Sequence, residues 1–260
     1  MRVVILSAGR GLRMWPITRN TPKALLDLGH GVTVIESQLH SIRDAGVSEV
    51  SLVLGYLAEQ VEAKVRHFPG LEIEFIYNPF YDTSNNLISL WFARHRMSAD
   101  FVSVNGDDVF HPNVMRSLLA APRNDEVALV IDRKPKYETE DMKVIVDGGR
   151  VTAVSKQIPN ERANGESIGM IRYIGRGALA MRDQLDRMVR ESTGKEVFYL
   201  AAIQALIDQG VEVTPVEVEA TEWGEIDFHP DLELIRQNVM RMGGASLVEE
   251  AGGAPKKVQG

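Results

Sequence analysis

The sequence predicts an α/β domain in which helices cover both faces of a mostly parallel β-sheet. In the first half of the chain, short β-branched runs alternate with helical patterns, which is typical of consecutive βαβ units. The runs Val3–Leu6 and Val50–Leu54 are continuously apolar, as expected for strands that are buried on both faces. With 260 residues, the chain is long enough for one domain with a sizeable core.

The predicted elements can be placed in chain order. The strands predicted in the first half are Val3–Leu6, Val50–Leu54, Ile73–Tyr77 and Phe101–Val104, and the helices are Val34–Ala45, Tyr56–Val65 and Asn86–Ala93. In the second half, Asp147-Gly148-Gly149-Arg150 separates two β-like runs and predicts a hairpin. The remaining predictions are the strands Val127–Ile131, Lys143–Val146, Val151–Ser155 and Ser167–Tyr173 and the helices Ala178–Glu191, Glu196–Gln209 and Asp231–Met242.

Composition excludes several classes of site and partner. The sequence contains no cysteine, so disulfides, thiolate catalysis and cysteine-ligated zinc or iron–sulfur sites are excluded. Its net charge of −7, from 29 Lys and Arg against 36 Asp and Glu, disfavours nucleic acid as a partner. No apolar run reaches the length of a membrane span, and the N-terminus shows no signal-peptide pattern. We therefore expect a cytoplasmic protein with no membrane partner.

The loop after the first strand carries the strongest functional signal. It reads Ser7-Ala8-Gly9-Arg10-Gly11-Leu12-Arg13-Met14, and its two glycines let the backbone approach a phosphate closely. Arg13 and the later Lys23 supply two cations, which suits a triphosphate. The loop lacks the Gly-Lys-Ser/Thr of a Walker loop and the third glycine of a dinucleotide-binding motif. Taken alone, the two glycines are also compatible with an ordinary turn.

The whole string is more specific than its glycines. Leu6–Met14, followed by Pro22-Lys23, resembles the signature L-A-A-G-x-G-x-R-(L/M) with a downstream P-K, except for Ser7 in place of the first alanine. This is the signature of the nucleoside-triphosphate transferase family of sugar-phosphate and choline-phosphate nucleotidyltransferases. The resemblance implies a Rossmann-like three-layer αβα fold. The nucleotide-binding residues it implies are Leu6, Ser7, Ala8, Gly9, Gly11, Arg13, Lys23, Asn85, Asn86 and Gly106.

The simplest domain organisation is a single nucleotidyltransferase domain over residues 1–242. It divides into a nucleotide-binding half, residues 1–125, and a hairpin-rich acceptor-binding half, residues 126–242. Residues 243–260 are rich in Gly and Ala and are expected to form a disordered tail. The sequence leaves the oligomeric state open, a homodimer included.

Two acidic positions are candidates for a metal site. Asp107 follows a predicted strand, and the carboxyl ends of parallel strands form the crevice where open α/β sheets bind ligands. The resemblance implies that Asp107 holds Mg²⁺, with Asp108 as the alternative. The segment Glu222–Glu233 resembles the family's W-x-E-I-D-x-x-x-D-L segment and implies Asp227 as the second ligand, ahead of Glu225. The structural alternatives are turn aspartates and a helix cap, for which Asp231 is the better candidate.

The acceptor side narrows the resemblance further. The segment Tyr81–Leu90 matches Y-x-x-x-N-N-x-x-S-L, which resembles the phosphocholine cytidylyltransferase branch. Asn85 and Asn86 could read a pyrimidine edge, although Asn85 is also a typical helix N-cap. The acceptor-binding candidates are Tyr81, Asp132, Lys143, Lys156, Glu166, Tyr173 and Trp223. Tyr81, Tyr173, Tyr199 and Trp223 could form an aromatic box for a quaternary ammonium, although aromatic side chains more often belong to the core.

The resemblance implies a Mg²⁺-dependent nucleotidyl transfer, with CTP favoured as donor and a small phosphorylated, phosphocholine-like molecule as acceptor. Arg13, Lys23, Asp107 and Asp227 are the predicted catalytic residues, and the two aspartates are the predicted metal ligands. The first alternative is a sugar-1-phosphate or inositol-phosphate nucleotidyltransferase, and the second is a nucleotide-binding regulatory module without activity. An esterase is disfavoured because the G-x-S-x-G match at Gly165–Gly169 continues as a β-like run, whereas a nucleophile elbow turns into a helix.

Overall fold

A computed structural model describes residues 1–29, 31–98, 100–123, 126–191 and 193–238. Its strands are β1 (Arg2–Ser7), β2 (Glu49–Leu54), β3 (Glu72–Tyr77), β4 (Phe101–Asn105), β5 (Asp108–Phe110), β6 (Val127–Asp132), β7 (Lys143–Asp147), β8 (Arg150–Val154), β9 (Gly165–Tyr173), β10 (Val213–Val218) and β11 (Trp223–Glu225). Its helices are α1 (Val34–Asp44), α2 (Ala58–Val65), α3 (Asn86–Phe92), α4 (Pro112–Ala120), α5 (Arg176–Met188), α6 (Leu200–Asp208) and α7 (His229–Asn238). The predicted tail and the last residues of the helix predicted over Asp231–Met242 lie outside the described residues.

One mixed sheet runs through the described part of the chain. Its nine strands include the path β10-β6-β9-β4-β1-β2-β3, and the hairpin of β7 and β8 joins it at β9. β1 pairs in parallel with β2 and β4, and β3 continues in parallel from β2. β9 runs antiparallel between β4 and β6, while β10 pairs in parallel with β6. The predicted fold class, a mostly parallel mixed sheet with a hairpin in the second half, is confirmed.

Helices cover both faces of this sheet, as the apolar strands require. Val3 and Ile5 of β1 pack into one apolar cluster with α1, α2 and α4. Val4 and Leu6 of the same strand pack into a second cluster with α3, α5 and α6. Successive side chains of a strand point to opposite faces, so the two clusters are the two outer interfaces of a three-layer domain. Within the described residues, no helix combines the length and the apolar character needed to cross a membrane.

The order in which strands are added to the sheet reverses at β1, and this switch creates the crevice that holds the site. From β1 the sheet continues to β2 and β3 on one side, whereas β4 lies on the other side. Leu6 pairs with Val53 of β2 and with Asn105 of β4, so the carboxyl ends of these strands lie side by side. The Gly106 N–H donates to the Leu6 carbonyl at 3.0 Å. Ligands of open α/β sheets bind at such a switch point.

A small antiparallel ribbon connects the late acidic segment to this crevice. β11 pairs with β5 and places Glu225 opposite Asp108. Just beyond the ribbon, the Ile226 N–H donates to the Asp107 carbonyl at 3.1 Å. Two acidic segments that are distant in sequence therefore become neighbours through backbone pairing.

The structure differs from the predicted elements in several places. Four elements, α4, β5, β10 and β11, are not predicted from the sequence. α4 begins at Pro112 with the His111 side chain as N-cap, which is not a usual start signal. β10 contains Pro215, a residue that argues against a strand but is tolerated here because β10 is an edge strand. The helix predicted from Glu196 begins at Leu200 instead.

Gly169 of β9 is expected to be essential for stability. Its φ of +74° is unfavourable for other residues, and an added Cβ would overlap the side-chain amide of Asn105. Gly148 of the hairpin turn, at φ +55°, has open space around it. We expect Gly148→Ala to lower the free energy of unfolding by about 1–2 kcal/mol, the price of a left-handed backbone alone, and Gly169→Ala to lower it further. Urea unfolding of both variants tests this, and equal losses would contradict the packing argument.

Candidate active site

A cleft of about 730 Å³ opens at the carboxyl ends of β1 and β4. Its walls include the glycine loop, the start of α3, the turn after β4 and the end of β11. Of the predicted site residues, those that line the cleft are Leu6, Ser7, Ala8, Gly9, Gly11, Arg13, Lys23, Tyr81, Asn85, Asn86, Gly106, Asp107, Lys156, Glu166 and Asp227. The structure therefore brings all predicted nucleotide-binding, catalytic and metal-binding residues to one cavity.

The glycine loop is held in shape by its own residues. Gly11 adopts φ +60°, and an added Cβ would lie 3.2 Å from the Thr18 side chain. Thr18 is buried and its hydroxyl donates to the Gly11 carbonyl at 2.7 Å. A short 3₁₀ turn over Leu12–Met14 follows, with Met14 fully buried as its anchor. Arg13 in this turn keeps about half of its side chain exposed toward the cleft (48%).

Lys23 joins the two acidic segments. It begins a 3₁₀ turn directly after Pro22. Its Nζ lies 2.8 Å from Asp107 Oδ2 and 3.1 Å from Asp227 Oδ1. Burial by itself lowers the pKa of the Lys23 ammonium, but the attraction of Asp107 and Asp227 outweighs burial, and the pKa is raised. Lys23 is therefore charged at neutral pH and neutralises part of the charge of both carboxylates.

Asp227 is held in place by contacts in addition to the one with Lys23. Its Oδ2 lies 2.9 Å from Arg13 Nη1, so Asp227 contacts both predicted cations. Asp231 in the first turn of α7 accepts the backbone N–H groups of Asp227 and Phe228 at 2.9 and 2.6 Å. Asp231 thus has a structural role at the start of α7: it fixes the turn before the helix from within the first turn. The Asp227 carboxylate lines the cleft.

Three carboxylates form one group with oxygen atoms within 4.8 Å of one another: Asp107, Glu225 and Asp227. Burial, together with the charges of Asp107 and Asp227, raises the pKa of Glu225 to about 8. Burial and the crowded negative charge therefore favour the protonated form of Glu225 at neutral pH. A divalent cation could replace that proton, and carboxylate oxygens are the ligands that Mg²⁺ prefers. The donor set fits such an ion.

Asp108, the alternative to Asp107, lies outside the cleft lining. It is 1% exposed, and within the described residues neither of its carboxylate oxygens has a hydrogen-bond partner. Burial, together with the nearby Asp107 and Glu225, raises the pKa of the Asp108 carboxyl well above its usual range. Burial thus favours the neutral form of Asp108, and its position outside the cleft lining makes Asp107 the better candidate for a metal ligand.

Two of the predicted acceptor-binding residues, Lys143 and Tyr173, are buried and do not line the cleft. Lys143 is 1% exposed and its Nζ donates to the carbonyls of Glu138 and Thr139 at 3.0 and 3.4 Å. Tyr173 is fully buried and stacks on Phe101 with ring centroids 4.5 Å apart. Both side chains stabilise the core of the acceptor half.

Asp132 and Trp223 also lie outside the cleft lining. The Trp223 Nε1–H donates to Asp132 Oδ2 at 3.2 Å, which ties β11 to the end of β6. Tyr199 is fully buried, and its hydroxyl donates to the Gly169 carbonyl at 3.0 Å. Of the four residues predicted for an aromatic box, only Tyr81 lines the cleft. The box does not form because its other members satisfy structural contacts.

Glu166 lines the cleft as part of an ion-pair group that includes one residue missed by sequence reasoning. Lys134 lies 2.6 Å from Glu166 and 2.8 Å from Asp141. Burial raises the pKa of Glu166 to about 7, although Lys134 acts in the opposite direction. Nothing in the sequence around Lys134 distinguishes it from a surface lysine.

Several further cleft residues were not predicted: Glu140, Met142, Lys195, Glu196 and Phe198. Lys156 links two of them, because its Nζ lies 3.3 Å from Glu140 Oε2 and 5.1 Å from the centre of the Phe198 ring. The segment 195–198 reads as the start of a helix, whereas it forms a turn before α6. Because the predicted helix begins at Glu196, four residues before α6 does, the sequence does not identify this wall of the cleft.

The two asparagines of the acceptor motif join α3 to that wall. Asn85 is the N-cap of α3: its Oδ1 accepts the Asn86 N–H at 2.8 Å, and its Nδ2 donates to the Glu196 carbonyl at 3.2 Å. Asn86 Oδ1 accepts the Tyr199 N–H at 2.9 Å. Asn85 thus fulfils the structural alternative while also lining the cleft.

Comparisons with known proteins agree with this fold and this loop. A family model described as the MobA-like NTP transferase domain matches residues 3–196. Among curated relatives, the CTP:phosphoglutamine cytidylyltransferase of Campylobacter jejuni is 25% identical over 257 residues, which cover 90% of this chain and 98% of that protein. The matches to three other curated relatives cover 20%, 51% and 49% of those proteins.

Solved structures show the same fold. The inositol-1-phosphate CTP transferase from T. maritima superposes with a TM-score of 0.78 at 20% identity, covering 93% of this chain and 95% of that one. The CTP:phosphocholine cytidylyltransferase from Streptococcus pneumoniae superposes with a TM-score of 0.72 at 23% identity, covering 92% and 98%. At these identities the likeness establishes the shared α/β fold.

Proposed function

The chain belongs to the MobA-like NTP transferase domain family, and from this premise we propose that it is a Mg²⁺-dependent cytidylyltransferase that joins CTP to a small phosphorylated acceptor. The observation that carries the proposal is the contact of Lys23 with both Asp107 and Asp227 beside the glycine loop. This arrangement places fixed cations and a carboxylate group around one cleft, as the transfer of a charged phosphoryl centre requires.

The proposed reaction is an in-line displacement at the α-phosphorus of CTP. An acceptor phosphate oxygen forms a bond to that phosphorus, the bond to the β-phosphate oxygen breaks, and pyrophosphate leaves. A phosphate monoester with a second pKa of about 6 is mostly a dianion at neutral pH, so no protein base has to remove a proton. The protein then contributes positioning and charge stabilisation.

Each element of the cleft has a role in this proposal. The backbone of the loop from Ser7 to Gly11 binds the triphosphate, and Arg13 and Lys23 stabilise the charge that develops on the departing pyrophosphate. Asp107 and Asp227 would hold the Mg²⁺ ion, with Glu225 as a third carboxylate beside them. When bound, Mg²⁺ supplies Lewis-acid stabilisation of negative phosphate oxygens.

Two observations support CTP as the nucleotide. The names of three relatives or structural neighbours, from Campylobacter jejuni, T. maritima and Streptococcus pneumoniae, all include CTP, whereas their acceptors differ. In the cleft, Asn86 uses its Oδ1 for the Tyr199 N–H, which leaves its Nδ2 as a donor for a pyrimidine acceptor. Such a donor favours cytosine if it faces N3, because N3 of cytosine accepts a hydrogen bond whereas N3 of uracil carries a proton. Asn85 uses both of its polar side-chain atoms within the protein. We therefore assign base reading to Asn86.

The acceptor class rests on two further residues of the cleft lining. Lys156 and Glu166 supply a cation and an acidic group for a phosphorylated, polar acceptor. A quaternary ammonium has less support, because Tyr81 is the only member of the predicted aromatic box that reaches the cleft. We therefore propose a phosphorylated acceptor without requiring a choline group.

A pyrophosphate-release screen tests the proposed function. CTP, UTP, GTP, ATP and dTTP are each combined with Mg²⁺ and with phosphocholine, phosphoethanolamine, an inositol phosphate or a sugar 1-phosphate. We expect turnover with CTP to exceed that with UTP by roughly 10- to 100-fold, the effect of one or two mismatched hydrogen bonds. UTP or dTTP as the best donor with a sugar 1-phosphate would favour the sugar-nucleotide alternative. Nucleotide binding without turnover on any acceptor would favour the regulatory module.

A further inference from the structure

Gln38 of α1 is a polar side chain in an otherwise apolar environment. It is fully buried, on the face of α1 that also carries Ile35 and Ile42. Its Nε2 donates to two backbone carbonyls, those of Asn105 at 2.7 Å and Asp108 at 2.8 Å. The two hydrogen bonds of this amide group therefore both reach the short segment that connects β4 to β5.

That segment is the turn that presents Asp107. Asn105 ends β4 and Asp108 begins β5, so the two acceptor carbonyls flank Gly106 and Asp107. Between these two ends, the Gly106 N–H donates to the Leu6 carbonyl and the Asp107 carbonyl accepts the Ile226 N–H. Gln38 ties both ends of the turn to α1, and it thereby bears on the direction of the Asp107 side chain.

Burial of the Gln38 amide is unfavourable, so the presence of Gln at this position is not explained by packing of the core alone. Within the described residues, Gln38 Oε1 has no hydrogen-bond partner. An unpartnered buried acceptor costs about 1–3 kcal/mol, which an apolar side chain of similar size would avoid. A position that serves only to fill the core is therefore better occupied by Leu or Met.

We propose that Gln38 is a positioning residue that holds the turn Asn105–Asp108 so that Asp107 can bind the divalent ion. The inference rests on the proposed function, because it assigns the metal to Asp107. Gln38 acts through backbone carbonyls and does not touch the nucleotide. Residues that orient metal ligands in this way typically change metal affinity or activity by about 10- to 100-fold when they are replaced.

The same helix offers a matched control. Ser41, one turn further along α1, is also buried, and its hydroxyl donates to the Phe110 carbonyl at 2.6 Å. Phe110 belongs to β5 but lies beyond the turn that carries Asp107. Gln38→Met and Ser41→Ala therefore both remove hydrogen bonds between α1 and the β4–β5 region, and only the first releases the turn.

The test measures Mn²⁺ binding by electron paramagnetic resonance, with CTP present and no acceptor, together with the Mg²⁺ dependence of turnover. We expect Gln38→Met to raise the Kd for Mn²⁺ by about tenfold or more and to raise the Mg²⁺ concentration for half-maximal rate, while Ser41→Ala binds Mn²⁺ as the wild type does. Wild-type Mn²⁺ affinity in Gln38→Met, or an equal loss in Ser41→Ala, would overturn the proposal.

Two further measurements keep the outcome interpretable. Circular dichroism and urea unfolding establish that each variant is folded; if Gln38→Met is not, Gln38→Asn replaces it, because its amide is one methylene too short to reach both carbonyls. The same loss of Mn²⁺ affinity is then expected. If the wild type binds Mn²⁺ but turns over no substrate pair, the proposed function fails while the role of Gln38 is still decided by the Mn²⁺ data.

Discussion

Asp107→Ala is expected to lower Mg²⁺- and acceptor-dependent pyrophosphate release by at least about 10³-fold, because it removes a group that stabilises transition-state charge inside a cleft. Asp107 is the carboxylate that contacts Lys23 at 2.8 Å and lies at the carboxyl end of β4. The loss should appear in kcat more than in KM for CTP, since the glycine loop still binds the triphosphate.

The neighbouring Asp108 provides the control for this variant. It is buried and lies outside the cleft lining, and burial raises the pKa of its carboxyl well above the usual range. Asp108→Asn keeps the shape of this side chain and changes no cleft-lining residue, so turnover should stay within a few-fold of the wild type. Near-wild-type turnover of Asp107→Ala, or an equal loss in Asp108→Asn, would contradict the assignment of the metal ligand.

Lys23→Met is expected to have two opposite effects. The rate should fall by about 10²- to 10³-fold, since one fixed cation is lost from the charge-stabilising set. Mn²⁺ binding without nucleotide should become tighter, because the Lys23 ammonium no longer neutralises part of the charge of Asp107 and Asp227. Steady-state kinetics and electron paramagnetic resonance measure the two effects on one preparation.

Lys195→Met is the matched control, since Lys195 also lines the cleft but its Nζ lies 5.6 Å from the Phe80 ring and contacts no member of the carboxylate group. It should leave Mn²⁺ affinity unchanged. If Lys23→Met weakens Mn²⁺ binding, or if Lys195→Met tightens it equally, the idea that the Lys23 ammonium and the metal ion compete for Asp107 and Asp227 is refuted.

Much of the site could be predicted from the sequence because it depends on short, local patterns. Val3–Leu6 is buried on both faces, so its position as a central strand follows from its composition, and the loop from Ser7 to Met14 must then open at the sheet edge. Asp107 follows another such strand, and strands β1 and β4 end side by side. Local sequence patterns were therefore sufficient to predict the part of the cleft formed by the glycine loop and Asp107.

The acceptor half depends on contacts that no single segment carries. Lys143 and Tyr173 have the chemistry of binding residues, but backbone carbonyls and the Phe101 ring take up their side chains. Glu196 and Phe198 reach the cleft only because α6 begins at Leu200. Gln38 could have been noticed as a polar residue on an apolar helix face, yet its acceptors lie on β4 and β5 and only the fold identifies them.

The most direct test of the central claim is a crystal structure with Mn²⁺ and a non-hydrolysable CTP analogue, in which anomalous scattering locates the ion. The account predicts an anomalous peak within bonding distance of both Asp107 and Asp227, with the triphosphate along the loop from Ser7 to Gly11 and the Lys23 ammonium moved from between the carboxylates onto phosphate oxygens. A peak remote from both aspartates, with Lys23 still bridging them, would contradict it.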